Sequence, residues 1–176
     1  MNKPEDQVIL VDSNDTEIGV GGKMQVHREG QLHRAFSVFL FNSRNELLLH
    51  QRAKEKYHSA GLWTNTCCSH PRPGEAIEDA AKRRLAEEMG INAELTKLFH
   101  FTYRAELEDG LTEHEFDHVF IGRFDGIPIP DPAEVADWKY LDIPAIEREL
   151  ETDPHCYTSW FRICFGEAVS RAGFKP

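Results

Sequence analysis

Five residues of the kinds that bind divalent ions or move protons stand out: His27, His33, His70, Glu113 and Glu115. His27 and His33 lie either side of an expected turn at Gly30, and His70 follows the run Trp63-Thr64-Asn65-Thr66-Cys67-Cys68-Ser69. The triplet Glu113-His114-Glu115 opens an expected strand, where side chains alternate, so Glu113 and Glu115 share one face and His114 takes the other. Paired carboxylates on one face suit a metal ion, or acid–base work in which one stays ionised. A solvated strand end is the plain alternative. Three histidines and two carboxylates could together form one nitrogen/oxygen site for Zn²⁺, Mn²⁺ or Mg²⁺, although each read singly is an ordinary polar residue.

The same alternation separates two adjacent thiols. If residues 68–70 are extended, Cys68 projects with His70 and Cys67 projects oppositely. A thiol beside a metal site and basic groups can have a depressed pKa and act in proton transfer. Cys67, Cys156 and Cys164 read as small buried apolar residues. The segment 76–89 has helical spacing, with Ile77, Ala80, Ala81 and Leu85 forming its inward stripe. Arg84 and Glu88 flank that stripe, where charges are costly unless paired or coordinated. Either they satisfy each other, four residues apart, or Glu88 holds a cation and Arg84 meets an anionic ligand.

The elements that must position these groups are legible from pattern. A short strand is expected over 7–11, followed by a polar turn at Ser13-Asn14-Asp15. A β-hairpin is expected over 34–41 and 46–52. The helix at 76–89 ends at Gly90, a natural C-cap. Strands follow at 96–104, 114–124 and 136–141, and helices near 143–150 and 158–171 then cover the sheet. This order implies an α/β fold in the broad sense, an α+β layered sandwich with helices on a sheet.

At 176 residues the chain reads as a single domain over 1–176, without repeats or linkers. Its net charge of −10 argues against nucleic acid, and an anionic substrate would need a local basic pocket. Met1–Gln7 has no apolar export stretch, and no run approaches the roughly 18 apolar residues that span a bilayer. The four cysteines therefore read as reduced thiols in a cytoplasmic protein.

Taken in order, WTNTCCSHP, GEAIEDAAKRRLAEEMG, FTYRAEL, EHE and YTSW resemble the type I isopentenyl-diphosphate isomerases, a branch of the Nudix fold, from about Lys23 to Trp160. Against the general Nudix box, aligned on Gly90, the chain supplies Glu75, Arg83, Leu85, Glu87 and Glu88. Ser69 stands where the box begins with Gly, and Arg84 replaces a carboxylate that Nudix hydrolases use for metal.

The resemblance implies a Nudix-like mixed sheet flanked by helices and a metal-dependent enzyme of isoprenoid biosynthesis. That enzyme interconverts isopentenyl and dimethylallyl diphosphate. It implies His27, His33, His70, Glu113 and Glu115 as metal ligands for Mn²⁺, Mg²⁺ or Zn²⁺, and Glu88 at a substrate-linked Mg²⁺. No flavin or nicotinamide is implied. Lys23, Arg52, Lys56 and Arg84 match diphosphate-binding residues. Cys68, Glu115 and Tyr103 match acid–base groups acting on opposite faces of the carbon skeleton, with Trp160 over the allyl end. The expected partner is a small diphosphate, with neither nucleic acid nor membrane, and the chain is expected to be monomeric. A Nudix hydrolase is disfavoured by Arg84 and Cys68. A non-catalytic metal-binding domain would leave Cys68, Tyr103 and Trp160 without shared purpose.

Overall fold

The computed structural model describes residues 6–173. Met1–Glu5, most of the segment read above for an export signal, and residues 174–176 lie outside the described residues. The elements are β1 (Gln7–Val11), β2 (Glu17–Gly22), α1 (Lys23–Glu29), β3 (His33–Phe41), β4 (Leu47–Arg52), β5 (Trp63–Thr64), β6 (Cys67–Ser69), α2 (Ile77–Met89), β7 (Leu95–Glu106), β8 (Thr112–Arg123), β9 (Val135–Leu141), α3 (Ile143–Thr152) and α4 (Ser159–Arg171). The expected layered α+β architecture is present, a mixed nine-stranded sheet with helices packed on it.

Strand β3 organises the sheet. It runs parallel to β8 from His33↔Glu115 to Phe41↔Arg123 and antiparallel to β6 through Ser37↔Cys68. Its residues Phe39 and Phe41 join a core with α3 and α4, while Phe36, Val38 and Leu40 join a second core with α2. That period of two is why the segment reads as an uninterrupted apolar run: both faces are buried. In the first core, fully buried Phe161 stacks between Phe39 and Tyr157, an arrangement worth about 2 kcal/mol from burial alone.

The expected hairpin of β3 with β4 is corrected in part. The two strands pair only at Phe41↔Leu47 and then diverge, because β8 and β6 occupy the flanks of β3 while β9 and β5 take those of β4.

Candidate active site

Helix α1 ends on Gly30, whose φ of 63° and ψ of 35° are left-handed. A side chain there would be strained, and its Cβ would stand 2.8 Å from the Arg104 guanidinium. The reversal brings the rings of His27 and His33 to 4.8 Å between centroids. His27 Nδ1 is 2.7 Å from the Lys23 carbonyl and His33 Nδ1 is 2.9 Å from that of Gln31. Nδ1–H donation to a carbonyl leaves each Nε2 lone pair facing inward.

Sheet register supplies the carboxylates. His33 is paired with Glu115 across β3 and β8, and Glu115 with Tyr103 across β8 and β7. Glu113 Oε2 lies 3.2 Å from His27 Nε2 and 3.7 Å from His33 Nε2. Glu115 Oε1 lies 2.9 Å from His70 Nε2, and its Oε2 accepts the Tyr103 hydroxyl at 2.7 Å. Ligand atoms of His27, His33, His70 and Glu113 all fall within 4.8 Å of one another, and Glu115 adjoins that group through His70.

The donor set fits a divalent cation. Buried His27 Nε2 and Glu113 Oε2 have no hydrogen-bond partner among the described residues. His33 Nε2 and His70 Nε2 are 3.2 Å apart. Buried polar atoms left facing one another are costly without something between them. Burial opposes ionisation of Glu113, yet the His58 and His27 imidazoles beside it hold its carboxyl well below the usual range. Burial, then the charges of Glu113 and Asp117, push Glu115 well above it. A bound cation would reverse that direction.

Cys68 and Cys67 diverge as alternation requires. Cys68 packs at the edge of the α4-side core, and Cys67 lies in the α2-side core with its thiol 3.5 Å from Glu88 Oε2. The depressed pKa open to Cys68 beside a metal site is not what the protein's own groups give. Burial, the largest influence, pushes the thiol up to about 12 despite nearby Arg52, so it keeps its proton at neutral pH. The reading of Cys67 as merely apolar is also incomplete, since its thiol meets a carboxylate.

An inner cavity is bounded by Cys68, Tyr103, Glu115 and Trp160, with Lys23, Lys56, Ser69, His70 and Arg84 shared with an outer cleft. Arg52 also lines the inner cavity, its guanidinium 5.4 Å from the Trp160 ring centre. Arg84 bonds Glu88, so the local-pair reading holds, and it also reaches Glu134 at 3.1 Å. Lys56 bonds Glu134 too.

The structure therefore brings together Lys23, Arg52, Lys56, Cys68, His70, Arg84, Glu88, Tyr103, Glu113, Glu115 and Trp160 around one cavity, with His27 and His33 sealed behind it. Sequence reasoning missed Asp117, His58 and Glu134. Asp117 continues the Glu113, Glu115 alternation, a signal that was available. It is buried, accepts from Ser37 at 2.8 Å, and is pushed up to about 7 chiefly by that burial. His58 and Glu134 sit in loops, where no periodicity marks them.

The NUDIX domain family model matches residues 31–161, and the chain belongs to that family. Solved structures agree at the level of fold. A Deinococcus radiodurans protein superposes with a TM-score of 0.76 at 20% identity, over 94% of this chain and 98% of its own. The MutT protein of Methanosarcina mazei Go1 gives 0.65 at 18%, over 82% and 96%. Within the family, the chain is one of the isopentenyl-diphosphate Delta-isomerases. It is 58% identical to isopentenyl-diphosphate Delta-isomerase 1 of Aromatoleum aromaticum over 94% of both chains. It is 52% identical to the isopentenyl-diphosphate Delta-isomerase of Burkholderia multivorans, over 96% of this chain and 94% of that one.

Proposed function

We propose that this chain interconverts isopentenyl diphosphate and dimethylallyl diphosphate, a step of isoprenoid biosynthesis. One proton is added to the terminal alkene carbon and another is removed from the carbon on the far side of the branch, so no atom is gained or lost overall. The observation that carries this reading is the shared cavity. It holds a protonated thiol, a tyrosine-bonded carboxylate and an indole beside a neck of basic side chains.

Cys68 and Glu115, the latter bonded by Tyr103, exchange protons with the carbon skeleton from its two sides. The Trp160 face stabilises the tertiary cation by about 2 kcal/mol once water is excluded. Lys23, Arg52, Lys56 and Arg84 bind the diphosphate, which offsets the acidic net charge where the substrate lies. His27, His33, His70, Glu113 and Glu115 would hold Mn²⁺, Mg²⁺ or Zn²⁺, and Glu88 would hold a Mg²⁺ bound together with the diphosphate. Such an ion would supply positive charge, under which Glu115 would stay ionised and fixed. The same proposal includes a monomeric, single-domain, cytoplasmic chain. Its four cysteines are unpaired, and no helix among the described residues is long and apolar enough to cross a membrane.

Product analysis with isopentenyl diphosphate tests the reaction. Isomerised product is expected, and released phosphate would return the hydrolase reading. Exhaustive chelation should abolish turnover, with recovery on adding Mg²⁺, Mn²⁺ or Zn²⁺. Full activity in a chain shown to be metal-free would refute the cation's role.

A further inference from the structure

Glu113 has two carboxylate oxygens, and the proposed cation site uses one of them. Oε2 faces His27 and His33. Oε1 is 3.0 Å from Nε2 of His58, a residue outside the ligand set. His58 is only 5% exposed. Its Nδ1 is 3.2 Å from the Ser59 hydroxyl, and its carbonyl accepts from Arg52 at 3.1 Å. Its ring stands edge-on to Tyr57 at 4.4 Å and to Trp160 at 6.1 Å. The imidazole is thus wedged by aromatic rings, with Nε2 directed at the outer oxygen of a buried carboxylate.

A carboxylate buried to 3% exposure cannot leave its second oxygen bare without a desolvation cost. A donor on that oxygen also fixes the torsion that aims the other one. We propose that His58 is a positioning residue for the cation site: by donating to Oε1 it holds Glu113 so that Oε2 points at the ion. The bond from the Arg52 guanidinium to the His58 carbonyl fastens His58 in turn to a basic residue of the same cavity. The inference rests on the metal reading above, so its test measures ion binding and does not use turnover.

The metal-free full chain is titrated with Mn²⁺ by equilibrium dialysis. Loss of such a partner ordinarily weakens metal binding about 10- to 100-fold, and H58F should show a loss of at least about tenfold. H58Q, whose amide can still donate to Oε1, should stay within about threefold of wild type. In an E113Q background, adding H58F should weaken Mn²⁺ by no more than about twofold, because its point of action is already gone. Should H58F not fold by thermal melting, H58N serves, its amide being too short to reach Oε1. Wild-type affinity in the His58 variant overturns the assignment, as does an undiminished loss in the E113Q background. A wild-type chain that binds no Mn²⁺ overturns the metal reading and this inference with it. The two failures are therefore distinct.

Discussion

Both faces of β8 carry polar residues, to very different ends. On one face, His114 Nδ1 meets the Gly30 carbonyl at 3.0 Å. Next along it, Phe116 packs with Ile9 and Val11. His118 then lies 2.9 Å from Asp15, which Arg34 also grips. His114 and His118 each meet a neighbouring turn, although His118 Nδ1 has no hydrogen-bond partner among the described residues, and the result is a clamp on the β1–β2 turn. On the other face stand Glu113, Glu115 and Asp117, three buried carboxyl groups in one row. Neighbouring like charges in a buried row repel, and either a retained proton or a cation from elsewhere must answer them. A polar strand is therefore no sign of chemistry by itself. The sign is charge that the fold gathers and leaves uncompensated.

Substitutions on alternate residues test that contrast, and the largest expected effect falls on β6, where the same alternation divides two thiols. Cys68→Ala should lower kcat by at least about 10²–10⁴-fold, the ordinary worth of a positioned proton-transfer group. Cys67→Ala should cost about 0.5–3 kcal/mol of stability at most. A dead Cys67→Ala beside an active Cys68→Ala would reverse the assignment of faces.

On β8 itself, Glu115→Gln keeps shape and removes the base. Its kcat should fall by about 10²–10⁴-fold with the melting temperature retained, whereas His114→Gln leaves kcat unchanged. Equal losses would erase the distinction between the faces. Glu88→Gln should act more mildly, making turnover depend more steeply on Mg²⁺ while preserving activity at saturation. Mg²⁺-independent loss would place Glu88 with Glu115.

The smallest effect concerns the clamp. Burial, aided by Lys97 and opposed by Asp15, lowers His118 to about 4. The unfolded chain takes up that proton near pH 6.5, so above this value the residue contributes no pH dependence. Between about 6.5 and about 4 the unfolded state binds more protons and the fold loses stability as pH falls. His118→Gln should flatten the urea midpoint against pH across that window. An unchanged slope would count against the clamp's role.

Much of this was legible from period and spacing. Helices α2, α3 and α4 and the long strands follow apolar repeats, and they begin and end within a few residues of expectation. The separation of Glu113 from His114, and of Cys68 from Cys67, needs only strand alternation. Elements without a repeat were not legible. Strand β2 (EIGVGG) is a glycine-rich edge, and α1 has seven residues and no side-chain cap, yet it carries Lys23 and His27. The Cys68 pKa was not legible because basic neighbours are visible in a sequence, whereas the depth of burial is set by α4 and β3. His58 and Glu134 reach the site from loops whose paths depend on tertiary packing.

The parallel pairing of β3 with β8 also governs when the site can exist. Parallel strands need a long crossover, and contacts so distant in sequence are made only after a large loss of chain entropy. Until that pair closes, His27 and His33 form an incomplete set of ligands, because Glu113 and Glu115 are still elsewhere. An ion that needs all of them would join only after that pair closes. It would then act on the lifetime of the folded chain by slowing escape, and would leave the speed of folding as it was.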